Sequence, residues 1–596
     1  MLPFADSRRL TGPNPYFTET GAALEVIGVE VDGRLIEGWR RRASRAREHL
    51  GWTSPAEPTA LHVRRHPGGA SLALAAPVDQ LYTATEVNEW ALAATVLELD
   101  PDRWAGIEAD LQEAASETPI PPVVAETDAL RRFAGLAAGE SRPALRALIA
   151  GARAAGVSHL LDADTLTLGL GCGGRSWPTD RLPPLADEPW RGRHDIPVAV
   201  VTGSNGKTTT TRLIAACLGE HGWTAGYSCT DGLWIAGEAV DAGDYSGPIG
   251  ARSVLREPRV EAAVLETARG GILRRGLALE RAAAAVVTNI SSDHFGEYGV
   301  HGLETLADVK LTVAGLVAWQ GWLALNADDA LLRAKAATLG DRFGRAPALA
   351  WFAREADHPL LRERRHDGGA TCGLRGGRLV LHWAGAEHDL GAIAAMPLTL
   401  DGAADFNVSN LAAAALASAA LGVAPCSIAR AFARFGTLPL DNPGRLMRFE
   451  RDGVSVLLDY AHNPASLRSL LEVAGKLRGG GRVGMLLGHA GNRQDADFDR
   501  IARVAAEFGP DLVVVKEIES YLRGRAAGEV PALIRESLLR HGLPAARVEL
   551  RMSELDAARR ALEWARPGDV LVMLVHALEA REAVIGMLGA PGPRGG

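Results

Sequence analysis

The stretch VVTGSNGKTTTTRL, Val200 to Leu213, couples a short apolar run to two close glycines, a lysine and a row of threonines. The usual phosphate loop, G-x-x-x-x-G-K-[ST], keeps four residues between its glycines. Here Val201 stands at the first glycine position, and Gly203 sits nearer to Gly206. The chemistry of a phosphate site is still present. "VAVV" (198–201) reads as a buried strand, and Thr208 to Leu213 reads as the start of a helix. Between them Gly203, Ser204, Asn205 and Gly206 form a tight turn, and the N–H groups opening the helix suit an anion. Lys207 has the length to reach β- and γ-phosphates, and a Thr208 hydroxyl suits Mg²⁺. On spacing alone, a structural turn that holds a lysine remains the alternative.

The rest of the chain narrows the class. Its 596 residues exceed one core, and priors on domain size predict about three to five domains. The composition, 47% hydrophobic and 23% charged, is that of a globular protein, and a formal charge of −8 argues against a nucleic-acid partner. Five cysteines are scattered without a C-x-x-C pair, the pattern of a reducing compartment. The first residues, MLPFADSRRLTGPNPYF, lack the basic start and apolar run of a signal peptide, and no apolar run reaches the roughly 18 residues of a membrane span. A cytoplasmic protein with no membrane partner is the expectation. The run RRRASRARE (Arg40–Glu48) reads as an exposed helix face rather than a polyanion patch.

Residues 22–99 alternate between strand-like runs ("ALEVIGVEV", "ALHVRRH", "SLALAAPV") and helix-like runs ("LIEGWRRRASRAREHL", "ATEVNEWALAATVLEL"). They predict a small α+β domain over 1–165, completed by helices to about Ala155. A Pro-rich, charged stretch makes 166–196 a linker. From 197 to 437, short apolar runs end in polar residues, as in a parallel α/β sheet whose ligands bind at the carboxyl ends of strands. From 438 to 596, "VSVLLDY", "RVGMLLG", "DLVVVKE" and "DVLVMLV" alternate with helical segments and predict a second, Rossmann-like α/β domain.

Three further segments stand behind the loop. "VLETARGGILRRG" puts Glu266 at a strand end, "VVTNISSDHFGEYG" puts Asn289, Asp293 and His294 past another, and "TLADVKLTVAGL" puts Lys310 on a helix. Singly these read as a strand-end carboxylate, a helix cap and a solvated lysine. In this order they resemble the Mur ligase family of ATP-dependent amide-bond ligases, whose loop T-G-x-x-G-K-T is fitted by Thr202 to Thr208. The resemblance implies an ATP site made by Gly203 to Thr209 with Asn289. It implies Mg²⁺ positions at Thr208 and Glu266, and at His294 and Lys310. It makes Lys207, Glu266, His294 and Lys310 the catalytic set, with Lys310 carbamylated as in several relatives. "NADD" (326–329) and "FNVSNLAAAALA" (406–417) look like adenine-side segments, with Asn407 and Asn410 as contacts; Phe406 stands where the family usually has His. Arg445 in "NPGRL" is expected at the phosphates, and Asp459 in "LLDYAHNP" at the ribose.

Within that family, "DYSGPIGARSVLREPRVEAAVLETARGGILRRGL", "YLRGRAAGE" and "GPNPY" are similar to the cyanophycin synthetases, which join Asp and Arg into a branched polymer. Those enzymes carry an ATP-grasp domain where this chain has only its Pro-rich stretch, and such a domain needs on the order of one or two hundred residues. Asn492, in "GHAGNRQDAD", stands where the family tends to have Asp. The likeness implies an ADP-forming carboxylate–amine ligase that adds one amino acid, a basic one by analogy, to a small or peptidic acceptor. A homo-oligomer is expected. An ATP-binding scaffold for a separate ligase, and a simple NTPase or kinase, are the other classes.

Overall fold

The computed structural model describes residues 2–52, 60–114, 125–292, 295–317 and 321–589. Four sheets organise them. The largest is built around Val198–Thr202, whose neighbours are Ala262–Glu266 on one side and Ala284–Val287 on the other, all parallel. Register places Glu266 opposite Val201 and Val287 opposite Thr202, so three strand ends open at one edge. These runs are apolar on both faces because each face is covered: the helices Lys207–His221 and Asp405–Leu421 pack one side. Residues of the 303–317 region and of helix Pro248–Arg256 pack the other. The sheet extends to eleven strands, with antiparallel hairpins at both edges.

The C-terminal sheet has six strands. Val454–Asp459, Val570–Leu574, Val483–Leu487, Leu512–Lys516 and Val548–Arg551 run parallel, and Met447–Arg451 adds one antiparallel edge. These are the four apolar runs read from the sequence plus two further strands, Met447–Arg451 and Val548–Arg551.

The N-terminal region holds a four-stranded antiparallel sheet backed by helices Gly33–His49 and Leu81–Leu99. Its first strand, Phe4–Leu10, escapes sequence reading because its alternation is broken: a register shift lies between Ala5 and Arg8, and Asp6 has φ 51°. The Arg40–Glu48 run lies on a helix as expected, with Arg41 and Arg42 on Glu98. Arg47 departs from the exposed-face expectation. It is buried, donating Nε–H to Ala75 O at 3.0 Å and Nη2–H to Trp52 O at 2.9 Å.

The 166–196 stretch also differs from a plain linker. With His159–Leu161 it forms a three-stranded sheet, and Leu166, Leu168, Trp177 and Trp190 join a cluster with helix Pro143–Ala154. Its prolines hid strands too short for a periodic signal. We propose the remaining borders, near 196 and 437, as domain limits. Among the described residues no helix is long and apolar enough to cross a membrane.

Candidate active site

The loop leaves the central strand at Thr202. Gly203 has φ 145°, and a Cβ there would collide with Thr288 Oγ1. Gly206 has φ 82° and opens the helix; its vacant Cβ position is filled by Asn410 Oδ1. The next strand's end clamps the turn. Asn289 Oδ1 accepts from Asn205 N–H at 3.0 Å, Asn289 Nδ2 donates to Asn205 O at 3.1 Å, and Thr288 Oγ1 donates to the same oxygen at 2.6 Å. Lys207 Nζ donates to Ser204 O at 3.0 Å, folding its ammonium back over the loop.

Glu266, only 1% exposed, ends the neighbouring strand. Its carboxylate accepts from Thr208 Oγ1 at 2.8 Å, from Thr230 Oγ1 at 2.8 Å and from Thr230 N–H at 3.2 Å. Lys310, 3% exposed, donates from Nζ to Gly203 O at 2.7 Å. The expected Thr208, Glu266 and Lys310 therefore meet at one turn; His294, with Asp293, lies outside the described residues. Among the described residues no group of three or more His, Cys, Asp or Glu gathers as a metal cluster. The donors at hand are hard oxygens: one buried carboxylate and two hydroxyls. That set fits Mg²⁺, which binds through few protein ligands and keeps waters and phosphate oxygens.

Asn407 and Asn410 are both buried on helix Asp405–Leu421. Asn407 Nδ2 donates to Leu398 O at 2.9 Å and its Oδ1 accepts from Asn410 Nδ2 at 2.9 Å. This pair packs Asn410 onto Gly206, which makes it a brace of the loop as well as a candidate nucleotide contact. Asp459 is turned inward on its own backbone: Leu446 N–H and Ala461 N–H both donate to it at 2.7 Å. Burial pushes its carboxyl up, against the pull of Arg445 and those two N–H groups.

Arg445 reaches across to the central domain, 3.6 Å from Asp231, and lies over the Tyr460 ring at 4.3 Å. Asp231 also faces Arg581 at 3.4 Å. Burial works against the Asp231 charge, yet Arg445, Arg581 and Arg212 hold its carboxyl below the usual range. Asp231 and Thr230 were not singled out by sequence reading; an Asp in a hairpin turn is an ordinary signal. Asn463 was also missed, although it lies in the quoted "DYAHNP". It caps helix Pro464–Leu477 and donates from Nδ2 to Asn205 Oδ1 at 2.7 Å, tying the C-terminal domain to the phosphate loop.

Behind Tyr460 lies a buried chain. Lys516 pairs with Glu554 and stands 3.3 Å from His576 Nδ1, while His576 Nε2 faces Ala461 O at 3.2 Å. Burial, reinforced by the Lys516 charge, lowers His576 to about 4. The neutral ring thus accepts from lysine at Nδ1 and donates from Nε2 to the 459–463 turn.

These groups open on a cavity of about 1310 Å³. The phosphate loop and Glu266 form its floor. Asp6 to Arg8 of the N-terminal sheet, Ser246 to Gly250 and Arg269 form one wall; Tyr460, His489, Asn492 and Arg493 form the other. A cleft at the carboxyl ends of parallel strands, bounded by three regions of chain, is where a two-substrate reaction with a nucleotide can be assembled.

Two family models match the chain. The Mur ligase middle domain covers residues 201–418, and the Mur ligase, glutamate ligase domain covers 444–574. The chain belongs to the Mur ligase family. It is 36% identical over 394 residues to cyanophycin synthetase of Trichormus variabilis, an alignment covering 66% of this chain and 43% of that protein. The chain thus spans less than half the length of these relatives. It is 30% identical over 387 residues to UDP-N-acetylmuramoyl-L-alanyl-D-glutamate–2,6-diaminopimelate ligase of Alkalilimnicola ehrlichii, covering 63% of this chain and 70% of that one. Among solved structures it is similar to E. coli FolC in complex with ADP, with 18% identity, a TM-score of 0.48, and coverage of 66% of this chain and 89% of that one.

Proposed function

We propose that the chain is an ATP-dependent, ADP-forming carboxylate–amine ligase of the cytoplasm. The convergence of Lys207, Thr208, Glu266 and Lys310 on one loop at the floor of a cleft bounded by three regions of chain is the observation that carries this reading. A carboxylate oxygen of the acceptor attacks the γ-phosphorus of ATP; the bond to the β-phosphate oxygen breaks, giving an acyl phosphate and ADP. The amine nitrogen of an amino acid then attacks the acyl carbon, sheds a proton, and expels inorganic phosphate. Unaided, a carboxylate does not condense with an amine in water, so phosphoryl transfer supplies the leaving group.

Lys207 neutralises charge on the transferring group, and loop N–H groups hold the phosphates. Thr208 and Glu266 would hold Mg²⁺, which when bound offsets β- and γ-phosphate charge. Arg445, fixed by Asp231, approaches the phosphates from the C-terminal side. Asn410, Asn289 and Asp459 complete the nucleotide side. The acceptor is small or peptidic, a reading supported by similarity to cyanophycin synthetases and by the Asp6–Arg8 wall. A homo-oligomer belongs to the same reading, and light scattering after size exclusion tests it.

The test is phosphate release from ATP with an amino-acid panel and aspartyl peptides as acceptors, with products weighed by mass spectrometry. Release that requires both co-substrates and yields an amide supports ligation. Release that needs neither gives a plain NTPase, and ATP binding without turnover gives a scaffold.

A further inference from the structure

The N-terminal region meets the central domain along a short backbone seam. Thr11 N–H donates to Arg275 O and Leu277 N–H to Pro13 O, each at 2.7 Å. Arg274 and Arg275, at one side of this seam, line the large cleft. A second cavity, of about 300 Å³, opens against Thr11 to Pro13 and Leu277 to Glu280. None of the groups assigned to ligation lines it.

Its lining is unbalanced in charge: four arginines (Arg47, Arg146, Arg153, Arg252) face two glutamates (Glu19, Glu280). Arg153 is spent on Glu280, and Arg146 lies 3.4 Å from Asp79. Arg252 is different. It projects from helix Pro248–Arg256, is only 9% exposed, and gives one Nη2–H to Thr11 Oγ1 at 3.0 Å. Its Nε–H is buried with no hydrogen-bond partner, and it has no carboxylate within ion-pair distance among the described residues. Burial lowers its affinity for its proton, with Arg256 and Arg275 adding to the effect and Asp162 opposing it. His159 Nδ1, in the same lining, is also buried and unpartnered. Buried donors are normally satisfied, and a buried guanidinium is normally paired.

We propose that this cavity binds a small oxyanion-bearing ligand, a carboxylate or a phosphate, seated on Arg252 with His159 completing the site. The planar guanidinium fork matches either group, and the cavity is of the size that encloses a small metabolite. Its occupant would touch the helix whose first turn, Pro248 to Gly250, walls the large cleft.

Calorimetric titration of the full 596-residue chain tests the site, with ADP saturating the phosphate loop and either inorganic phosphate or citrate as titrant. One saturable equivalent is expected. Tighter phosphate binding assigns a phosphate ligand, and tighter citrate binding assigns a carboxylate. Arg252→Met should weaken that binding at least tenfold while leaving ADP affinity unchanged, and His159→Phe should weaken it severalfold. If the methionine variant does not fold, Arg252→Lys keeps a charge in the cavity but loses the fork, and should still weaken binding severalfold. The ADP titration reports the phosphate loop separately, so failure at one site is not read as failure at the other. The absence of saturable binding of both anions, or binding indifferent to substitution at Arg252, overturns the proposal.

Discussion

Glu266 holds two threonine hydroxyls and one backbone N–H while almost fully buried. Its removal has two separable costs: charge lost at the phosphates, and hydroxyls left without an acceptor, about 1–3 kcal/mol. Lys207→Ala and Glu266→Ala are each expected to lower kcat for ligation at least a hundredfold, on the order of 3 kcal/mol of transition-state stabilisation. Circular dichroism should remain that of the parent. Near-normal turnover in either variant removes these residues from the mechanism. Lys310 carries a more specific expectation. A carbamate on its nitrogen keeps one N–H for Gly203 O and adds an anion facing the cleft. Lys310→Ala should be inactive and partly rescued by acetate or formate. Rescue by neither, with a side-chain mass showing no carbon dioxide adduct under bicarbonate, argues for a plain ammonium.

At the scale of elements, the loop works because a strand, a turn pinned by two glycines and a helix meet in a space already filled by neighbours. Gly206→Ala sets a Cβ against Asn410 and strains a backbone at φ 82°. It should abolish ATP binding, read by fluorescent-nucleotide titration. Asn410→Ala in the same chain should restore only part of it, since the left-handed strain persists. The Lys516–Glu554–His576 chain braces the 459–463 turn and has a pH signature. His576 titrates near 4 folded, against about 6.5 unfolded. Between those values the unfolded chain binds more protons, so stability is full above about 6.5 and falls as pH drops toward 4, by at most about 3 kcal/mol. Thermal melts should fall across that window, and His576→Gln should flatten the fall. An unchanged slope in the variant would place the titration elsewhere.

For the whole molecule, the large cleft holds, among the described residues, one phosphate loop with the buried strand-end carboxylate Glu266 beside it, set between three regions of chain. Polymer growth of the cyanophycin kind needs a backbone ligation and a side-chain ligation. The 596-residue chain, given ATP, Asp and Arg, is therefore expected to make no long polymer and to add a single amino acid to a supplied carboxylate. A mass ladder of alternating Asp and Arg would show a second ligation site. The central loop, Glu266, Asn289 and Lys310 were legible in the sequence because each is local. Apolar runs on two covered faces announce parallel strands, and such strands present their final residues together, whatever else the chain does. Contacts that join distant segments were not legible. Asp231 beneath Arg445 and Arg581, Asn463 on Asn205, Asn410 in the space of Gly206 and the uncompensated Arg252 each pair residues far apart in sequence. Their side chains are ordinary until packing removes water and leaves each donor or charge only the partner that the fold supplies. Sequence alone determined the buried parallel strands around the loop, the loop itself and the family to which they belong. Only the tertiary structure decided which charges meet, because the strength and sign of those contacts depend on burial.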